Sequence, residues 1–225
     1  CGAPVTLVLN DQAGERSFVH HGGSNDSWEL PTPALARPWE VFHMAAPELL
    51  GSFWPNPCLE TARSVKSAGI ELSLDVFVSR DNLEPDSDPA ETHAPLLELA
   101  DMVFPNEAEA RAITGRDRLE DVLACLHGLG VTIAVIKRGE RGAVVSWDGQ
   151  VEKIPAEKVT AIDTCGAGDN FVGGFLAGRI NGLDPLECAK LGCELGTLCV
   201  QRKGSVTASS DRRKLDLLLD RYGLG

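Results

Sequence analysis

Residues 163–171 read Asp163-Thr164-Cys165-Gly166-Ala167-Gly168-Asp169-Asn170-Phe171. Small residues fill the middle of this stretch, and carboxylates stand at positions 163 and 169. Phe171, Val172, Phe175, Leu176 and Ile180 follow at helical spacing, with Phe171 and Phe175 on one face. The glycines therefore sit at the start of a helix, where free N–H groups and the macrodipole favour an anion. Gly166 and Gly168 lack a Cβ, so a phosphate can come close to the backbone. Asp169 falls in the first turn beside it. Backbone donors for a moving phosphoryl group, next to a carboxylate that can orient a hydroxyl and take its proton, suit phosphoryl transfer. The plain structural alternative is a glycine-rich loop with Asp169 as an ordinary first-turn residue.

The rest of the chain fits an α/β frame. Residues 41–45 and 70–76 are apolar strand-like runs. Between them, 57–69 has a helical pattern ending at Gly69. Strand, helix, strand implies a parallel sheet covered by helices, with ligands beyond the carboxyl ends of the strands. Asp75 lies at such an end; His43 reads as a satisfied strand-end histidine. Residues 31–38 and the acidic 81–93 read as loops, with a helix over 95–100 and a short strand at 102–104. Asn106 is a good N-cap with Glu109 three residues on, the pattern of a capping box. Another helix spans 117–129, a strand 131–136, and two more strands flank Asp148-Gly149. Helices follow at 185–201, capped by Asp184-Pro185, and at 211–222. Upstream of all this, 4–9 and 16–20 form a hairpin around a turn at 10–14, followed by a flexible stretch, His21 to Asn25.

Composition narrows the function further. The 225 residues carry a net charge of −12, which opposes a nucleic-acid or anionic-membrane surface. No apolar run is long enough to span a bilayer, and no secretory pattern opens the chain. Seven cysteines without a Cys-x-x-Cys pair fit a reducing cytoplasm; Cys188, Cys193 and Cys199 read as small buried residues. No internal repeat is present. A dinucleotide fingerprint fails because Phe171 stands where its third glycine belongs.

The 163–171 stretch closely resembles the C-terminal signature of the ribokinase-like (PfkB-type) carbohydrate kinases, Asp-Thr-x-Gly-Ala-Gly-Asp-x-Phe, at every fixed position. The resemblance covers essentially the whole chain and implies a mainly parallel sheet between helices, with part of a small β lid. Residues 1–24 would be the lid remnant and 25–225 the nucleotide-binding and catalytic domain. By resemblance Asp169 is the catalytic base, and the amides of Gly166, Ala167 and Gly168 form the anion hole. Asn106 and Glu109 resemble the family's Asn-x-x-Glu motif, which organises Mg²⁺ through water; such a sparse set suits Mg²⁺. Lys137-Arg138-Gly139-Glu140-Arg141-Gly142 resembles its nucleotide-contacting turn, so Lys137, Arg138, Gly139 and Gly142 are expected at ATP; a charged turn is the alternative. Lys203 and Gly204 resemble the adenine-side loop. Asp163 and Cys165 would help hold a monovalent cation, K⁺.

Some sugar kinases of this family carry Asp-x-Asn-x-Arg where this chain has Asp75-Val76-Phe77-Val78-Ser79-Arg80. The Asn is missing and the Arg comes one residue late, so its sugar-acid role does not transfer. The implied activity is ATP-dependent phosphorylation of a hydroxyl on a sugar or sugar-like substrate. A nucleoside kinase on the same fold and a non-catalytic nucleotide-binding protein are the alternatives. The chain opens at Cys1, so a preceding segment with the family's Gly-Gly sugar motif is expected outside it. Lid strands leave an unpaired edge, which predicts pairing with a second copy.

Overall fold

A computed structural model describes residues 2–10, 16–27, 39–78, 87–206 and 211–224. The turn expected at 10–14 (from residue 11), the loop at 31–38, Arg80 and residues 81–86 of the acidic loop lie outside the described residues. In chain order the elements are β1 (Val5–Asn10), β2 (Arg16–His21), β3 (Val41–Ala45), α1 (Asn56–Ser67), β4 (Glu71–Asp75) and α2 (Pro89–Leu97). Then come β5 (Met102–Val103), α3 (Glu107–Thr114), α4 (Leu119–Gly128), β6 (Ile133–Lys137), β7 (Ala143–Trp147) and β8 (Gln150–Ile154). Helices α5 (Ala167–Ile180), α6 (Pro185–Val200) and α7 (Arg212–Arg221) complete the set.

Strands β3 to β8 form one six-stranded sheet in chain order. The pairs from β3 to β6 are parallel, while β7 and β8 turn back antiparallel. The ends of β4 at Asp75 and β6 at Lys137 thus open on the same side. Alternation along each strand divides the core into two layers. Ala134, Ile136 and Val144 face the layer formed with α1 to α4. Ile133, Val135, Ala143 and Val145 face α5 and α6. Phe175 of α5 meets Phe104 edge-on at 4.9 Å between centroids, both fully buried, a pairing that contributes about 0.5–1.5 kcal/mol beyond burial alone. Helix α6 packs closely on α5 because position 192 is glycine: a Cβ there would sit 2.7 Å from the Phe171 carbonyl oxygen.

Two expectations need correction. The helix expected at 95–100 instead begins at Pro89 and ends at Leu97. Asp88 caps it, accepting from the Ala90 amide at 2.8 Å, and Pro89 occupies N1, where its missing N–H costs nothing. Pro95 lies inside the helix, held there by burial of His93, Leu96 and Leu97. His93 Nδ1 meets the Pro89 carbonyl, which can only accept, and Nε2 lies 2.9 Å from Glu48 Oε1. One proton therefore bridges this buried pair, tying α2 to the turn after β3. Residues 89–93, expected in the acidic loop, thus belong to the helix; after β2, residues Gly23–Ser27 form a 3₁₀ helix with Gly23 buried.

β1 and β2 form a separate antiparallel pair, Leu7 opposite Val19. Val5, Leu7 and Val19 are exposed. Among the described residues, no helix is long and apolar enough to cross a membrane.

Candidate active site

Helix α5 begins at Ala167, with Gly166 as N-cap at φ 79°. The Asn170 amide closes the first turn on the Gly166 carbonyl at 2.9 Å. Gly168 and Asp169 are the second and third helical residues, and Asp169 is exposed. The sequence prediction of a glycine-bearing helix N-terminus matches this geometry.

A set of hydrogen bonds shapes the loop ahead of the helix. Asp163 Oδ1 accepts from the Cys165 amide at 2.9 Å, and its Oδ2 from the Gly204 amide at 3.0 Å. Asn170 Nδ2 donates to the carbonyls of Gly166 and Ser205, both at 2.8 Å. Cys199 Sγ lies 3.4 Å from the Cys165 carbonyl oxygen. Gly166 packs directly on Ser205; a Cβ at 166 would fall 2.4 Å from the Ser205 Cβ. Asp163, Cys165 and Gly204 are thus brought together. Asn170 and Ser205, absent from the sequence prediction, complete the joint. Asn170 adjoins Asp169 in sequence, but its bond to the Ser205 carbonyl, 35 residues on, needs the fold.

Lys137 stands at the end of β6, its amide bonded to the Pro105 carbonyl at 2.9 Å. Its ammonium meets Asp75 Oδ1 at 2.7 Å and Oδ2 at 2.6 Å, both side chains largely buried. A Cβ on Gly168 would lie 3.3 Å from Nζ, so the lysine reaches the α5 N-terminus. Arg138 turns elsewhere: its Nε bonds Glu107 at 3.0 Å, and Arg141 pairs with the same carboxylate. Asn106 and Glu109 form a complete capping box: Asn106 Oδ1 accepts from the amides of Ala108 and Glu109, and Glu109 Oε2 from the Asn106 amide at 2.7 Å. Burial pushes the Glu109 carboxyl up to about 7 against that hydrogen bond. His43 Nδ1 bonds Ser73 Oγ at 2.9 Å; burial first, then the charge of Lys137, lower it to about 4.

Between these parts lies a cavity of about 650 Å³, within the range of small-molecule sites. Lys137, Gly139, Gly142, Ala167 and Gly168 line it, as do Arg141 and residues 156–159. Arg138, Lys203 and Gly204 do not. Cys193, Gly196, Thr197 and Val200 of α6 form another wall. Their i, i+3, i+4, i+7 spacing marks one helix face in the sequence, though not one that faces a ligand. Among the described residues no group of three or more His, Cys, Asp or Glu side chains is arranged to hold a metal.

These features define an α/β protein that offers an anion a helix N-terminus and a lysine beside a ligand-sized cavity. Residues 2–212 match the family described as pfkB family carbohydrate kinase, and the chain belongs to that family. It is 30% identical to the ribokinase of Arabidopsis thaliana over 97% of this chain and 56% of that one. It is 42% identical to the cytidine kinase of Thermococcus kodakarensis over 84% of this chain and 66% of that one. The solved Arabidopsis thaliana ribokinase complexed with ribose and ATP matches with a TM-score of 0.75 and 25% identity, over 95% of this chain and 68% of that one. The chain thus spans 56% and 66% of the lengths of those first two relatives.

Proposed function

We propose that the whole protein transfers the γ-phosphoryl group of ATP to a hydroxyl of a sugar or sugar-like substrate. The observation that carries this reading is the meeting of the α5 N-terminus, Lys137 and the cavity at one end of the sheet. In this proposal the cavity holds the nucleotide, and the amides of Gly166, Ala167 and Gly168 take the charge on the transferred group. Asp169 orients the acceptor hydroxyl and accepts its proton. Lys137, Gly139 and Gly142 contact the phosphates from the far wall; Arg138 acts at one remove, through Glu107, and Lys203 and Gly204 shape the adenine side.

Mg²⁺ needs only one or two carboxylates when phosphate and water supply the rest. The carboxylate of Glu109, steered by Asn106, fits that modest demand, and the ion would neutralise phosphate charge. A K⁺ ion fits the carbonyl-rich joint around Asp163 and Cys165, where it would steady the loop ahead of α5. Residues 1–24 are the lid portion of this proposal, and 25–225 the catalytic body. The exposed Val5, Leu7 and Val19 favour pairing of the lid with a second copy, which light scattering of the full-length protein checks. A cytoplasmic setting accords with the six described cysteines, all free thiols.

A nucleoside acceptor is the second reading, favoured by the 42% identity to a protein named cytidine kinase. An intact Asp169 weighs against a nucleotide-binding protein that does no chemistry. The deciding experiment follows ADP release by the full-length protein with ATP, Mg²⁺ and a panel of sugars and nucleosides. Turnover of a sugar supports the first reading and turnover of a nucleoside the second. Nucleotide binding without any turnover overturns both.

A further inference from the structure

Lys137 is unusual in how it is held. A lysine side chain has about 2 kcal/mol of rotamer entropy to lose when it is fixed. Here a buried carboxylate from another strand takes the ammonium in two hydrogen bonds of 2.6 and 2.7 Å. An ammonium has three N–H donors. Two are committed to Asp75, and among the described residues no further hydrogen bond to Nζ is found. On the α5 side, Gly168 presents no side chain, and Nζ lies where a Cβ there would all but touch it. Lys137 lines the cavity; Asp75 stands behind it and does not.

We propose that Asp75 is a positioning residue that fixes Lys137 Nζ over the N-terminus of α5, so that the remaining N–H meets the phosphoryl group in transfer. This rests on the reading of the cavity as the nucleotide site. The argument is one of preorganisation. A donor held in place before the reaction stabilises developing charge without reorganising at the moment of transfer. A loose lysine would still attract ATP through its charge, but would not aim one donor at one oxygen. Asp75 itself touches neither nucleotide nor acceptor, and no proton leaves the ammonium during the reaction.

The consequence is a split between binding and turnover. In the full-length protein, Asp75→Asn keeps the shape and one acceptor but loses the second acceptor and the charge. Calorimetry with ADP and a non-hydrolysable ATP analogue in Mg²⁺ should give dissociation constants within about threefold of wild type, because the ammonium remains. Turnover on the acceptor that the ADP-release panel identifies should fall on the order of 10²-fold, the scale of a misplaced or missing transition-state donor. Lys137→Met should lower turnover at least as much, and Asp75→Asn/Lys137→Met no further than Lys137→Met alone, as expected of residues acting as one unit. Thermal midpoints establish that each variant is folded. If Lys137→Met does not fold, with Asp75 left buried and unpaired, the double variant replaces it. If Asp75→Asn does not fold, Asp75→Glu must show the same split.

Wild-type turnover in Asp75→Asn, or losses that multiply in the double variant, overturn the positioning role while leaving the nucleotide site intact. Equal loss of binding and turnover also overturns it. A wild-type protein that binds no nucleotide, or turns over no acceptor, instead defeats the underlying reading, and the two failures are distinguishable.

Discussion

Asp163 Oδ2 accepts a hydrogen bond from the Gly204 amide at 3.0 Å, across 41 residues of chain. Its other oxygen holds the Cys165 amide, so one carboxylate joins the loop before α5 to the loop after α6. Asp163→Ala leaves both donors without this acceptor, each half-buried donor costing about 1–3 kcal/mol where water cannot replace it. We expect a lower thermal midpoint and weaker ADP binding, with Asp163→Asn intermediate because it keeps one acceptor. Unchanged ADP affinity in Asp163→Ala would separate this joint from the nucleotide site.

Gly166→Ala tests the other side of the same joint. The backbone there has φ 79°, and a Cβ would lie 2.4 Å from that of Ser205. A non-glycine residue in the left-handed region costs about 1–3 kcal/mol, and the clash adds to it. The variant should be destabilised and bind ADP poorly. Adding Ser205→Gly removes the nearest atom but leaves the Ser205 Cα at 2.8 Å, so it should recover part of the stability, without relieving the whole clash or the dihedral cost. No recovery would mean that the backbone, through φ and the Ser205 Cα, dictates glycine here rather than the Ser205 side chain.

The capping box gives a way to separate structure from metal at Asn106 and Glu109. Glutamine still accepts the Asn106 amide bond, so Glu109→Gln should keep the thermal midpoint. Asn106→Ala loses the cap and should cost about 1 kcal/mol. If Glu109 also organises Mg²⁺, Glu109→Gln in the full-length protein raises the Mg²⁺ concentration needed for half-maximal turnover. A lowered midpoint with an unmoved Mg²⁺ curve would assign Glu109 to the helix alone.

His43 makes a pH prediction. Its folded pKa of about 4 lies below the ordinary 6.5, chiefly through burial. Between these values the unfolded chain binds more protons, so stability rises with pH. The contribution is fully present above about 6.5 and is lost as pH falls through about 4. His43→Asn offers Ser73 a hydrogen-bonding group without the titration. Thermal midpoints from pH 4 to 7.5 should fall more steeply on acidification in wild type than in His43→Asn. Parallel curves would remove His43 from the acid response.

Much of this could be read from the sequence because short-range chemistry decided it. The helix N-terminus at 166–169, the capping box and the parallel strands are local patterns with one physical outcome each. What escaped was long-range or masked by a breaker. Asp75 could be placed at a strand end, but its pairing with Lys137 spans 62 residues and depends on β5 lying between their strands. Charge alone does not reveal direction: the Arg138 guanidinium, expected at ATP, meets Glu107 in the fold. The start of α2 lies earlier than expected because the acidic, polar stretch around Pro89 has a loop composition, while Asp88-Pro89 is a start signal of the same kind as Asp184-Pro185.

The last prediction concerns Asp169. It lies in the first turn of α5 with its side chain exposed, one residue beyond the glycine that Lys137 approaches. In a loose phosphoryl-transfer transition state the acceptor hydroxyl keeps most of its proton until late. The base need not be strong, but it must be aimed and able to take that proton. Asn keeps the shape and can hydrogen-bond the hydroxyl, yet cannot serve as the base. If the proposed activity holds, Asp169→Asn in the full-length protein should therefore lower kcat by roughly 10²–10⁴. ATP affinity should change little, since in the proposed site the amides of 166–168 hold the phosphate, or tighten slightly as one anion facing another is removed. Paired measurements of turnover and ATP binding on wild type and variant check both halves. Near-normal turnover would show that another group takes the proton, and the phosphoryl-transfer role of the 163–171 stretch would lose its chemical centre.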